Sequence, residues 1–157
     1  MTVCAGMDLE VEKNVVHSFD RTYLWEIDKE AGETEFTADP ETGVATAEYT
    51  VTATPGDSSD DNWAMSGTIT VTNPNQWLDI TADVTDTVDV GGGAACTVTG
   101  GEDALIEADT SVELDYTCTF TSEPDYEGIN TATAIWSDTY PTPSVSATGH
   151  ADVEVEE

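Results

Sequence analysis

The chain has 157 residues, 38% of them hydrophobic, and its 33 Asp and Glu stand against only Lys13, Arg21 and Lys29, a formal net charge of −30 at pH 7. Three cations cannot supply the basic footprint that phosphate backbones demand, so nucleic acid is excluded as a partner, and anionic membrane surfaces are disfavoured for the same reason. No run of about 18 apolar residues occurs, so no membrane insertion is expected.

Aromatic residues are spread from Phe19 to Tyr140, which argues for a packed core in spite of the charge. In chain order, Leu9, Val11, Lys13 and Val15 alternate on one face, followed by Phe19, Arg21, Tyr23, Trp25 and Ile27, then by Ala45, Ala47, Tyr49, Val51 and Ala53. The alternation resumes at Met65, Gly67, Ile69 and Val71, at Leu78, Ile80, Ala82 and Val84, and at Val112, Leu114, Tyr116, Cys118 and Phe120. A period of two predicts strands. Thr at positions such as Thr50, Thr52, Thr68, Thr70 and Thr72 suits the wet face of an antiparallel sheet.

Turn residues cluster between the runs, at Ala31–Gly32, Asp39–Gly43, Pro55–Asn62, Asn73–Gln76, Gly91–Gly93, Gly100–Gly101 and Glu123–Gly128. With no helical stretch, this predicts an all-β fold: an immunoglobulin-like antiparallel β-sandwich of about seven to nine strands with Greek-key connections. The expected division is a terminal segment over 1–7, the sandwich over 8–139, and a Pro-interrupted acidic tail over 140–157 able to form one more strand. Met1 to Met7 shows no basic region followed by an apolar stretch, so no secretory leader is read there; the chain is expected to be a module of a longer exported protein.

Cys96 and Cys118 share the phase of apolar neighbours on strands flanking a polar segment, and a disulfide is the natural pairing, with two buried free thiols as the alternative. Cys4 is left over, either with its partner missing or as an intermolecular link. Alternation directs Lys13 to an apolar face, where an unpaired ammonium is costly. Asn130, in phase with Ala132, Ala134 and Trp136, points inward from a late strand, and Asp86 does so from a middle one. A neutral amine, a carboxamide and a proton-carrying carboxyl can condense into a Lys13–Asn130 isopeptide bond. The plainer reading is an ion pair, which is also the role expected of Arg21.

Asp57, Asp60, Asp61 and Asn62 gather oxygen ligands in an expected loop, the chemistry calcium prefers, though without EF-hand spacing; no other cofactor is expected. His17 and His150 are isolated, which disfavours zinc. Trp25 and Trp136 read as packing residues, whereas Trp63 and Trp77 adjoin loops and are the candidates for an exposed contact with a ligand such as glycan. No phosphate loop, nucleophile elbow or His-bearing triad is present, so no enzyme activity is expected.

The segments Leu9-Glu-Val-Glu-Lys13-Asn, Gly67-Thr-Ile-Thr-Val-Thr-Asn-Pro-Asn75, Ile80-Thr-Ala-Asp-Val-Thr-Asp86 and Asn130-Thr-Ala-Thr-Ala134 occur in that order. They resemble the immunoglobulin-like, collagen-adhesin B-type repeat domains of prokaryotic cell-surface proteins, and the likeness covers about Leu9 to Trp136. The resemblance implies a non-catalytic extracellular stalk, spacer or adhesin module at the cell surface or wall, with neighbouring repeats or surface proteins as partners. A calcium- or glycan-binding module, or an accessory domain of a secreted hydrolase, is the alternative. Some related domains carry an isopeptide bond, whose ends by motif would be Lys13 and Asn130. The chain has no clear glutamate motif for the acid, and the Cys96 and Cys118 pair is the other candidate brace.

Overall fold

In the computed structural model, which describes residues 5–154, all regular structure is β, and no helix occurs among the described residues. The strands are β1 (Glu10–Lys13), β2 (Val16–Ala31), β3 (Tyr49–Asn73), β4 (Ile80–Val88), β5 (Ala95–Val98), β6 (Ala104–Ile106), β7 (Thr110–Thr119), β8 (Glu127–Trp136) and β9 (Ser146–Glu154). One sheet runs β1-β3-β7-β5, with β2 also on β3; the other runs β6-β4-β8-β9. Neighbours such as β3 and β7, or β4 and β8, are far apart in sequence, so the chain crosses repeatedly between sheets, as the expected immunoglobulin-like β-sandwich requires.

The period-two pattern explains the core. Register sets Ile69 opposite Leu114 and Val71 opposite Val112 in one sheet, and Val84 opposite Ala134 and Ala82 opposite Trp136 in the other. Met65, Ile69, Val71, Ile80, Ile106, Ala132 and Ala134 are all buried between the sheets, while the intervening Thr residues lie outside the core. Each fully buried aliphatic side chain contributes about 1.5–3 kcal/mol relative to exposure, an upper figure because denatured chains are not fully extended. Gly149 lets β9 cross close to β1, since a Cβ there would stand 2.4 Å from the Val11 carbonyl oxygen.

Asn73 and Asn75, read from the sequence as turn residues, are 0% and 2% exposed and clamp a corner of the sandwich. Asn73 Nδ2 donates to the carbonyls of Leu78 (2.7 Å) and Ile106 (3.0 Å), and its Oδ1 accepts from Asn75. Asn75 in turn exchanges two bonds with the backbone of Met7, at 2.7 and 2.8 Å.

The described chain divides into two compact units, Arg21–Asp60 and the remainder. The core just described belongs to the remainder. Arg21–Asp60 is a two-stranded ribbon of β2 and β3 with the connection over 32–48. The strand expected over 45–53 starts only at Tyr49, with Ala45 and Ala47 in the connection, and it is continuous with the one expected over 65–71 as the single strand β3; Pro55–Asn62 lies inside it instead of forming a turn. Pro55 has no N–H to offer, but a two-stranded ribbon leaves one edge of each strand unpaired, where that lack costs nothing. Gly56 sits against Leu24, with a hypothetical Cβ 3.3 Å from the Leu24 carbonyl oxygen, so β2 continues opposite. At the other end of the chain, β9 pairs with β8 along Glu127↔Glu154 to Ile135↔Ser146, and the tail therefore completes this sandwich.

Candidate functional site

Three polar side chains meet between the sheets. Lys13 follows Val11 in phase on β1 and pairs across to Ile69 of β3, so its side chain enters the core from the first sheet. Asp86 and Asn130 enter from the second sheet, where Asp86 lies opposite Ala132 and Asn130 opposite Val88, a diagonal spacing within reach of both groups. The side chains of Lys13 and Asp86 are 0% exposed, and so is Asn130. Lys13 Nζ donates to Asp86 Oδ1 and to Asn130 Oδ1, joining β1, β4 and β8 through one ammonium.

Tyr116, which the alternation marked only as apolar in phase, completes the arrangement. Its ring centroid lies 3.9 Å from Lys13 Nζ, and its hydroxyl accepts a hydrogen bond from Asn130 Nδ2 at 3.2 Å while donating to the Asn14 carbonyl at 2.7 Å. The Asn130 amide is thereby oriented, oxygen toward Lys13 and nitrogen toward Tyr116. Gly67 makes this possible: a Cβ there would stand 2.5 Å from the Asn14 carbonyl oxygen and 2.9 Å from the Tyr116 ring.

Burial governs the protons. Loss of hydration pulls the Lys13 ammonium below its ordinary value, with hydrogen bonding and charge from Asp86 working the other way. Burial likewise pushes the Asp86 carboxyl up, against the opposing pull of Lys13 and Asn130. Both shifts favour transfer of one proton from amine to carboxylate, giving a neutral nucleophilic amine beside a protonated acid. Burial and the Asp86 charge raise Tyr116, so it stays a neutral phenol.

Asp86 has a second neighbour: its Oδ2 lies 3.4 Å from Cys118 Sγ. Cys96 and Cys118 face each other across β5 and β7 and form a disulfide, the pairing expected from their phase. Asp86, Cys96 and Cys118 are the only cluster of three metal-type ligands among the described residues, and its two sulfurs bond each other. Cys4 lies outside the described residues.

The remaining candidates are not brought together. Asp57, Asp60, Asp61 and Asn62 lie on the extended strand β3 and not in a loop, because β2 pairs alongside. Asp60 holds Arg21 through bonds of 2.7 and 2.8 Å, the structural pair expected of Arg21, and Asn62 Nδ2 donates to Asp20 at 2.9 Å. Trp63 is 7% exposed, stacked on Phe19 at 4.5 Å and edge-on to Tyr126 at 6.5 Å, so it packs and is not a surface contact. Trp25 corrects the other way: expected in the core, it is 60% exposed. Trp136 is buried and Trp77 is exposed, as expected of each.

No family model, curated protein or solved structure matches the chain.

Proposed function

We propose that this chain is a non-catalytic structural module of an extracellular prokaryotic surface protein, braced internally by an isopeptide bond between Lys13 and Asn130. The observation that carries the reading is the buried contact of Lys13 with both Asp86 and Asn130. Lys13 gives a proton to Asp86, and the neutral Nζ attacks Asn130 Cγ while protonated Asp86 hydrogen-bonds to Oδ1. The Nζ–Cγ bond forms, Asp86 relays the amine's proton to Nδ2, and the Cγ–Nδ2 bond breaks with release of ammonia. Tyr116 holds Nδ2 on the side from which ammonia leaves. The reaction occurs once per chain and leaves no site for turnover.

Such a bond suits a load-bearing spacer. It joins residues 117 positions apart, so tension on the two ends passes from β1 directly into β8 and bypasses the intervening chain. Closing a loop of that length restricts the unfolded chain by about 5 kcal/mol in the chain-entropy account. The disulfide and the acidic composition support an oxidising, saline exterior, and the ordered motifs from Leu9 to Ala134 support kinship with surface repeats.

Intact mass spectrometry under reducing and denaturing conditions is the test. A deficit of about 17 Da, the mass of ammonia expelled from the carboxamide, is expected in the wild-type chain and is absent from Lys13→Ala. A wild-type mass equal to that of the unmodified reduced sequence overturns the reading.

A further inference from the structure

The Arg21–Asp60 unit has an apolar sheet face whose large side chains are exposed. The Lys29 ammonium lies 4.2 Å from the Tyr49 ring centroid, which puts positions 29 and 49 on the same side of the ribbon. By alternation Tyr23, Trp25 and Ile27 of β2 then share that side with Tyr49, Val51 and Ala53 of β3. The five large members are 54–74% exposed. The reverse side carries Glu26, Asp28, Glu30, Thr50, Thr52 and Thr54, with Leu24 its one large apolar side chain, and is the more polar of the two. A two-stranded ribbon is marginally stable by itself, and its stability rises when its apolar side is covered.

We propose that this face is a self-association surface whose occupant is the same face of a second copy of the chain. Size is the first argument. Five large side chains, each leaving about 100 Å² bare, make a patch of roughly 500 Å². Two such patches face to face remove about 1,000 Å² from water, the lower bound for a specific interface.

Charge is the second argument. Within a chain of net charge −30, the stretch of this face from Tyr23 to Ile27 and from Tyr49 to Ala53 presents no carboxylate, because the one acid there, Glu26, occupies the reverse side. Its ends are opposite in sign. Lys29 lies beside Tyr49 at one end, and Asp57 follows Val51 and Ala53 in phase at the other, next to Tyr23, because Gly56 lies against Leu24; Arg21, also in phase there, is matched by Asp60, so that end stays net negative. A two-fold axis through the centre of the face sets Lys29 of each copy against Asp57 of the other and interleaves the aromatic and β-branched side chains between them. An unrelated apolar partner would satisfy the patch but not this reciprocal pairing.

Sedimentation equilibrium from about 1 μM to about 1 mM protein, spanning micromolar to millimolar dissociation constants, tests the proposal. Dimers are expected at about 1 M NaCl, where the screening length is ~3 Å, and weaker association at about 0.01 M, where it is ~30 Å and the two acidic bodies repel. Ile27→Glu alters an exposed side chain, so the sandwich should keep its melting temperature while association weakens at least about tenfold. Lys29→Glu should weaken the dimer, and the double change K29E/D57K should restore it. A monomer at every concentration and salt, a dimer indifferent to Ile27→Glu, or a double variant no tighter than Lys29→Glu each overturns the proposal.

Discussion

An ammonium with no exposed side-chain surface must be paired, neutral or consumed, and the surroundings of Lys13 permit all three. Removing Asp86 separates them. Asp86→Ala strips Lys13 of its counter-charge and the condensation of its proton carrier, so the variant should show the full unlinked mass. Relative to the equally unlinked Asn130→Ala chain it should also lose about 3–5 kcal/mol in denaturant melts, the cost of orphaning one member of a buried pair. Tyr116→Phe is subtler: the ring over Lys13 remains, but Asn130 Nδ2 loses its acceptor, so the fold should persist while the ammonia deficit accumulates at least about tenfold more slowly, a loss of one hydrogen bond's worth of orientation. Equal rates in time-resolved mass spectra would remove Tyr116 from the reaction.

The same residues fix a pH dependence. In an unlinked Asn130→Ala chain, Lys13 titrates below its ordinary 10.5, so between the folded value and 10.5 the unfolded chain binds the extra proton and stability rises with pH. Asp86 does the opposite: its folded value lies above 3.8, the folded chain holds the extra proton in that window, and stability falls as pH rises through it. In the linked protein Lys13 has become an amide and no longer titrates. The alkaline rise in melting temperature should therefore appear in Asn130→Ala and vanish in wild type, read below pH 10.0, before the raised Tyr116 begins to count.

At the scale of elements, alternation carried much of the reading and also set its limit. Lys13 shares the phase of Val11, Asp86 that of Val84, and Asn130 that of Ala132, so their common destination between the sheets was legible in the sequence. Alternation assigns a side chain to a face but does not say whether a second sheet lies above it. Phe19 and Trp25 share a phase, yet Phe19 stacks on Trp63 while Trp25 stands bare on the ribbon. The Pro55–Asn62 cluster carries turn chemistry, but pairing with β2 overrides local preference. Asn73 and Asn75 look like ordinary turn residues because nothing local reveals which distant carbonyls need donors. β5 is the opposite case, a four-residue edge strand held on one side only by β7 and pinned by Cys96–Cys118. Replacing both cysteines with Ala should lower stability by about 3 kcal/mol through the 22-residue separation they close. Amide exchange should accelerate first at 95–98, and uniform acceleration would show that the bridge does not serve β5 in particular.

For the whole molecule the governing quantity is the charge of −30, which Lys13 and Arg21 relieve only locally, at Asp86 and Asp60. Folding concentrates the carboxylates, and screening weakens their repulsion more as the Debye length falls from ~30 Å at 0.01 M to ~3 Å at 1 M salt. The melting temperature should therefore climb with NaCl. The proposed cross-link would add a second term. An open unfolded chain escapes self-repulsion by expanding, whereas one tied from residue 13 to residue 130 cannot expand as far, so repulsion favours its unfolding less. Asn130→Ala should consequently show a steeper rise of melting temperature with log salt than wild type, the two curves converging at high salt toward the gap set by loop closure alone. Parallel curves would mean that the tie between β1 and β8 does not restrain the unfolded chain and that Lys13 and Asn130 are held by hydrogen bonding only.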